Sequence, residues 1–207
     1  MYGYKVYLNL LLYKIGLRHI LPSAIVNSMP IKECGEKLVK YQNVMVRKSV
    51  FDMLNKADGL LPKNYSLKIL CGYRSIQEQQ ANWKNGLKKL KIQFPKLPLY
   101  KIENKNRKMN ADPRNGFGPH QSGGAVDVTL IYNNKPVDMG GEYNSGLNSK
   151  TDATNITKQQ KMNRQILINS MSKAGFQNYP NEWWHWSFGD RVYAAYKHKK
   201  YAIYGRI

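Results

Sequence analysis

One acidic residue sets the tightest condition on how this chain folds. Asp127 sits inside Ala125-Val126-Asp127-Val128-Thr129-Leu130, an apolar, β-branched run that reads as a strand over Ala125–Tyr132. A carboxylate buried in such a strand is costly unless it is paired or bound to a metal. Either an arginine reaches it, or it is part of a metal site. The preceding segment, Gly118-Pro119-His120-Gln121-Ser122-Gly123-Gly124, bears on the choice. Two glycines let the backbone turn sharply, so a loop folding back through them brings His120 beside Asp127. Imidazole plus carboxylate makes two of the three protein ligands that a catalytic zinc usually has.

A third piece lies in Asn181-Glu182-Trp183-Trp184-His185-Trp186, which holds three of the chain's four tryptophans. His185 supplies a third ligand, or else it is an incidental histidine in a packed aromatic strand. Glu182 stands three residues before it. That spacing shares a face on a helix and splits across faces on a flat strand. The tryptophans and Pro180 favour a strand, which places Glu182 at its start or at a bend. The His-Glu-x-x-His pattern of helix-borne zinc proteases is absent from the sequence. Arg74 falls in Cys71-Gly72-Tyr73-Arg74-Ser75, between a strand expected at Leu67–Cys71 and a helix. Its permanent charge suits it to stabilise an oxyanion, or to pair with Glu78 on the first helical turn. The other two histidines, His19 and His198, have no acidic neighbour in sequence and read as surface residues.

Periodicity organises the rest. Lys48 to Leu61 carries the apolar spacing of an amphipathic helix, stopped by Pro62. Ser75 with Glu78 is a capping-box pattern that starts a helix running toward Leu90. Three prolines between Pro95 and Gly118 predict a long loop. Asn133 to Thr154 is turn-rich. Ile156 to Ala174 reads as a helix closed by Gly175, and Trp183 to Phe188 as a strand. Helices and strands alternate without a regular βαβ pattern, so the fold class is α+β.

The chain has 207 residues, 42% of them hydrophobic, enough for one core. Residues 1–29 read as an N-terminal extension, which is a signal, a membrane-surface helix or a segment packed on the domain, and residues 30–207 as the compact domain. Two cysteines exclude a disulfide scaffold and a zinc ribbon, and Cys71 reads as a strand thiol. The formal charge is +20. No nucleic-acid recognition motif accompanies it, so no nucleic-acid partner is expected. A solvated basic surface or association with a negatively charged envelope remains.

Together, Gly72-Tyr73-Arg74, then His120 with Gly124, Ala125 and Asp127, then Glu182-Trp183-Trp184-His185 resemble the zinc D-alanyl-D-alanine dipeptidase family, which includes the dipeptidases of vancomycin resistance. The resemblance runs from Pro30 to Phe188. It implies an α+β domain with a central antiparallel sheet flanked by helices. It implies one zinc held by His120, Asp127 and His185, Glu182 as general acid/base, and Arg74 as stabiliser of the tetrahedral intermediate. The implied reaction is hydrolysis of D-Ala-D-Ala to two D-alanines, in peptidoglycan precursor turnover. A D,D-carboxypeptidase trimming stem peptides would share this site, and a non-catalytic basic binding module is a third reading. Two departures bear on substrate binding. Gly118 stands where the dipeptidases carry a serine. Asn144, in Met139-Gly140-Gly141-Glu142-Tyr143-Asn144, stands where they carry the aspartate that grips the substrate ammonium, leaving Glu142 or Asp138 to substitute. Free dipeptide is made in the cytoplasm, so that compartment is expected; the apolar N-terminus and the charge point to the periplasm as the other.

Overall fold

The computed structural model describes residues 11–12, 21, 23–107, 109–114 and 118–207. His19 and most of the 1–29 extension lie outside them. The described part of the extension holds a short helix, Ser23–Ser28 (α1). Residues 30–34 then run along the C-terminal segment: the Ala202 amide donates to Pro30, and Lys32 and Cys34 donate to Ala202 and Ile203. A hairpin follows, Leu38–Tyr41 (β1) and Val44–Arg47 (β2), then Lys48–Gly59 (α2) and Tyr65–Cys71 (β3).

Ile76–Gln93 (α3) begins with the expected capping box. Ser75 accepts from the Glu78 amide, and Glu78 accepts from the Ser75 amide. The segment expected to be a long loop instead contains a helix, Leu99–Asn106 (α4). Its prolines explain the difference. Pro95 and Pro98 precede the helix, where a missing N–H costs nothing, and none falls inside it. Asn106 is fully buried and donates to the Trp83 carbonyl, fastening α4 to α3.

Ala125–Tyr132 (β4) and Lys135–Pro136 (β5) lead through the turn-rich segment to Lys158–Ala174 (α5). This helix starts two residues later than expected, because the Thr157 side chain caps the Gln160 amide in a second capping box. Gly175 closes it at φ 112°. Gln177–Tyr179 (β6), Glu182–Ser187 (β7) and Arg191–Tyr196 (α6) complete the order.

The main sheet runs β3-β4-β7-β6, with β5 beside the far end of β4, and every pairing is antiparallel. Alternation along β4 decides what each face carries. Val126, Val128 and Leu130 join a core with Leu54 and Ala57 of α2 and Leu167 and Met171 of α5. Asp127 points the other way. The fold is therefore α+β with a central antiparallel sheet, as read from the sequence. Among the described residues no helix is long and apolar enough to cross a membrane.

Candidate active site

Sheet register assembles the site. Cys71, Asp127 and His185 are Cα partners across β3, β4 and β7, so a single rung carries thiol, carboxylate and imidazole. A bulge between Ile69 and Cys71 inserts the extra residue that re-aims Cys71 onto this face. His120 arrives from a 3-10 turn, Pro119–Ser122, whose exit residue Gly123 has φ 71°, a conformation that favours glycine. Arg47, itself buried, donates to the Ser122 carbonyl at 2.8 Å and holds the turn against β2.

Asp127 Oδ1 lies 3.0 Å from His185 Nδ1 and 3.2 Å from His120 Nε2. The two imidazole rings meet edge to face, centroids 4.9 Å apart. The other oxygen, Oδ2, accepts from the Tyr143 hydroxyl at 2.8 Å. His120 Nδ1 donates to the Gly72 carbonyl at 2.8 Å, which leaves Nε2 to face Asp127. Gly72 is required at this spot, because a Cβ there would meet the Met45 carbonyl oxygen at 2.7 Å. His185 Nε2 lies 3.3 Å from the Ser187 hydroxyl.

Burial opposes charge on these groups, and the groups answer one another. Burial would push the Asp127 carboxyl up, but the two imidazoles hold it well below the usual carboxylate range. Burial would lower His120, but the Asp127 charge and the Cys71 sulfur raise it well above its ordinary value. The Gly72 carbonyl engages Nδ1, so Nε2 is the His120 atom available to a metal. The donor set fits zinc: two imidazole nitrogens and a carboxylate oxygen. Asp127 Oδ1 sits 3.2 and 3.0 Å from the two nitrogens, near the spacing of about 3.3 Å between atoms that share a tetrahedral zinc. Among the described residues, the groups mutually within 4.8 Å are Cys71 with His120 and Asp127, and Asp127 with Glu182 and His185. Asp127 is common to both, so His120 and His185 must close toward each other to share one ion.

Glu182 opens β7, and its Oε2 lies 3.9 Å from His185 Nδ1. A regular strand would put these residues on opposite faces. Here β6 pairs Asn178 with Trp186 and Tyr179 with Glu182, so Trp183, Trp184 and His185 of β7 stand opposite no residue of β6. The Asn178 amide fills the gap by donating to the carbonyls of Glu182 and His185. Burial pushes the Glu182 carboxyl above its usual range, while His185 pulls it down. Arg74 lies between β3 and α3, donating to Gln79 Oε1 and Cys71 Sγ, each at 3.0 Å. Its partner is thus Gln79, while Glu78 is engaged in the cap.

A cavity of about 350 Å³ joins Arg74, His120, Asp127, Glu182 and His185. A family model described as D-Ala-D-Ala dipeptidase matches residues 33–203. The chain belongs to this peptidase family. Two curated D-alanyl-D-alanine dipeptidases are similar to it. The protein from Synechocystis sp. is 37% identical over 108 residues, covering 43% of this chain and 44% of the relative. The one from Enterococcus faecalis is 32% identical over 77 residues, covering 36% and 38%. The matched stretch spans less than half of either relative. Among solved structures, a zinc complex of the vancomycin-resistance D,D-pentapeptidase VanY aligns at 18% identity and a TM-score of 0.49, covering 84% of this chain and 91% of that one.

In this member of the dipeptidase family, Gly118 and Asn144 also line the cavity. Glu142 is exposed and is not among the described lining residues. Asp138 is engaged elsewhere, accepting from the Gly140 amide and the Gln160 side chain. Arg164, fully buried, gathers the carbonyls of Met139, Asn148 and Lys150 and so folds the segment that carries Tyr143 and Asn144. Sequence reading missed Tyr143, Asn178 and the nearness of Cys71 to the site. Cys71 Sγ lies within 4.8 Å of ligand atoms of both His120 and Asp127. Only the position of Tyr143 beside Asn144 signalled any of these.

Proposed function

We propose that the chain is a zinc-dependent peptidase that hydrolyses free D-alanyl-D-alanine to two D-alanines, a cytoplasmic step in peptidoglycan precursor turnover. The observation that carries this reading is the convergence of His120, Asp127, His185, Glu182 and Arg74 on one cavity. Its size, about 350 Å³, lies at the small end of ligand pockets, which run about 300–1,000 Å³. That favours a dipeptide over a long chain.

His120 Nε2, Asp127 Oδ1 and His185 Nδ1 would hold the zinc, which supplies Lewis acidity and lowers the pKa of water. Glu182, its carboxyl pushed up by burial, takes the proton of the attacking water and returns it to the leaving amine. Arg74 donates to the oxyanion as it forms. Gly72 fixes the His120 tautomer, and Tyr143 holds the Asp127 carboxylate in place.

A second reading, a D,D-carboxypeptidase acting on stem peptides, draws on Asn144. This neutral side chain lines the cavity and offers the substrate ammonium no ion pair. Hydrolysis of free D-Ala-D-Ala compared with an N-acetylated stem-peptide mimic tests the choice. Faster turnover of the free dipeptide is expected. Turnover of the blocked peptide alone would establish the carboxypeptidase instead.

A further inference from the structure

The cavity has a wall that the family match does not cover. Leu21, Ser23, Val26 and Asn27 line it, and all four precede residue 33, where the match begins. Among the described residues the anchor of this wall is small. Leu21 packs with Val192, Ala195 and Tyr196, and Val26 and Met29 lie at the edge of that cluster. The Leu21 amide donates to the Tyr196 hydroxyl at 3.0 Å. No residue of α1 is buried. From Pro30 onward the chain is tied by backbone hydrogen bonds to Ala202 and Ile203, so the shallow docking is confined to the part that lines the cavity.

Tyr179 connects the wall to the chemistry. It packs against the Leu21 cluster and lines the cavity, and its ring lies 5.9 Å from that of His185. Other sides of the cavity are built into the fold. Asp127, Glu182 and His185 stand on paired strands, and Asp112 is locked by ion pairs to Arg107 and Arg114.

We infer that Leu21 and residues 23–27 form a displaceable wall that sets substrate length. Docked, the wall confines the cavity to a dipeptide. A peptide extended beyond D-Ala-D-Ala needs more room, and this weakly held wall is the side that yields. The inference rests on the activity proposed above and assigns specificity to a segment outside the family match.

The test uses the full chain with Leu21→Ser, and Val26→Asp as a second variant should the first fold poorly. kcat/KM is measured for free D-Ala-D-Ala and for an N-acylated tripeptide ending in D-Ala-D-Ala. Loosening the wall should shift the ratio toward the tripeptide by on the order of tenfold, since the buried leucine is the main anchor among the described residues. An unchanged ratio, with both rates intact or falling in parallel, would overturn the inference. If the wild type hydrolyses neither peptide, the proposed activity is at fault and the wall is judged by calorimetric binding of the same two peptides. Tripeptide affinity gained in the variants supports the wall, and no gain refutes it.

Discussion

Asp127 and His185 face each other directly across the β4–β7 pair, with Asp127 Oδ1 3.0 Å from His185 Nδ1. Register alone creates this contact, because directly opposed residues on antiparallel strands project from the same face. A slip of one residue would turn Asp127 into the core and Val126 and Val128 out of it. The metal site and the hydrophobic core are therefore specified by the same pairing.

Tyr143 donates to the Asp127 oxygen turned away from the imidazoles. Removing that hydroxyl frees the carboxylate to rotate. Tyr143→Phe should weaken zinc binding by roughly 10–100-fold, the usual effect of losing a partner behind a metal ligand. Competition with a fluorescent chelator measures it, and an unchanged affinity would mean that Tyr143 only packs against Trp184.

Arg74 is already oriented by Gln79 and Cys71. Arg74→Ala should lower kcat by about 10²–10³ with a smaller change in KM, as expected for a donor that acts on the developing oxyanion. A change confined to KM would assign Arg74 to the substrate carboxylate.

Asn144 lines the cavity at φ 59°, a conformation that aspartate also tolerates. Asn144→Asp would convert a neutral hydrogen bond to the substrate ammonium into a charge-assisted one. The preference for free over N-acetylated dipeptide should rise by about tenfold. An unchanged preference would show that the ammonium is held elsewhere.

The chemistry was legible in the sequence because catalytic residues break local rules. An aspartate in an apolar strand and a histidine among tryptophans both demand partners, and those partners are what the fold supplies. The capping box of α3, Ser75 with Glu78, is equally local and is read directly; Thr157 with Gln160 follows the same pattern, but the apolar spacing starts that helix at Ile156 instead. What stayed hidden depends on long-range pairing. The short β1–β2 hairpin has no strong turn signal. The Asn178 amides fill a bulge that exists only once β6 and β7 have met. Cys71 joins the site through an extra residue in β3, which no periodicity reveals.

Asp112 tests the loop beside the cavity. Hydrogen bonds from Arg114, helped by Arg107, hold its carboxyl well below the usual range. A depressed folded-state pKa stabilises the protein above the unfolded value, about 3.9, and that stabilisation is lost as pH falls through the folded pKa. Asp112→Asn should therefore unfold at a lower temperature at pH 7, and the gap from wild type should narrow below about pH 4. Parallel curves across this range would show that the ion pairs contribute nothing.

The zinc content of the purified chain and its variants tests the central claim most directly. Wild type and Glu182→Gln should each hold one zinc per chain, because Glu182 is assigned proton transfer and not ligation, while His120→Ala, Asp127→Ala and His185→Ala should hold almost none. Full zinc in the His120 or His185 variant, or its loss in Glu182→Gln, would contradict the account.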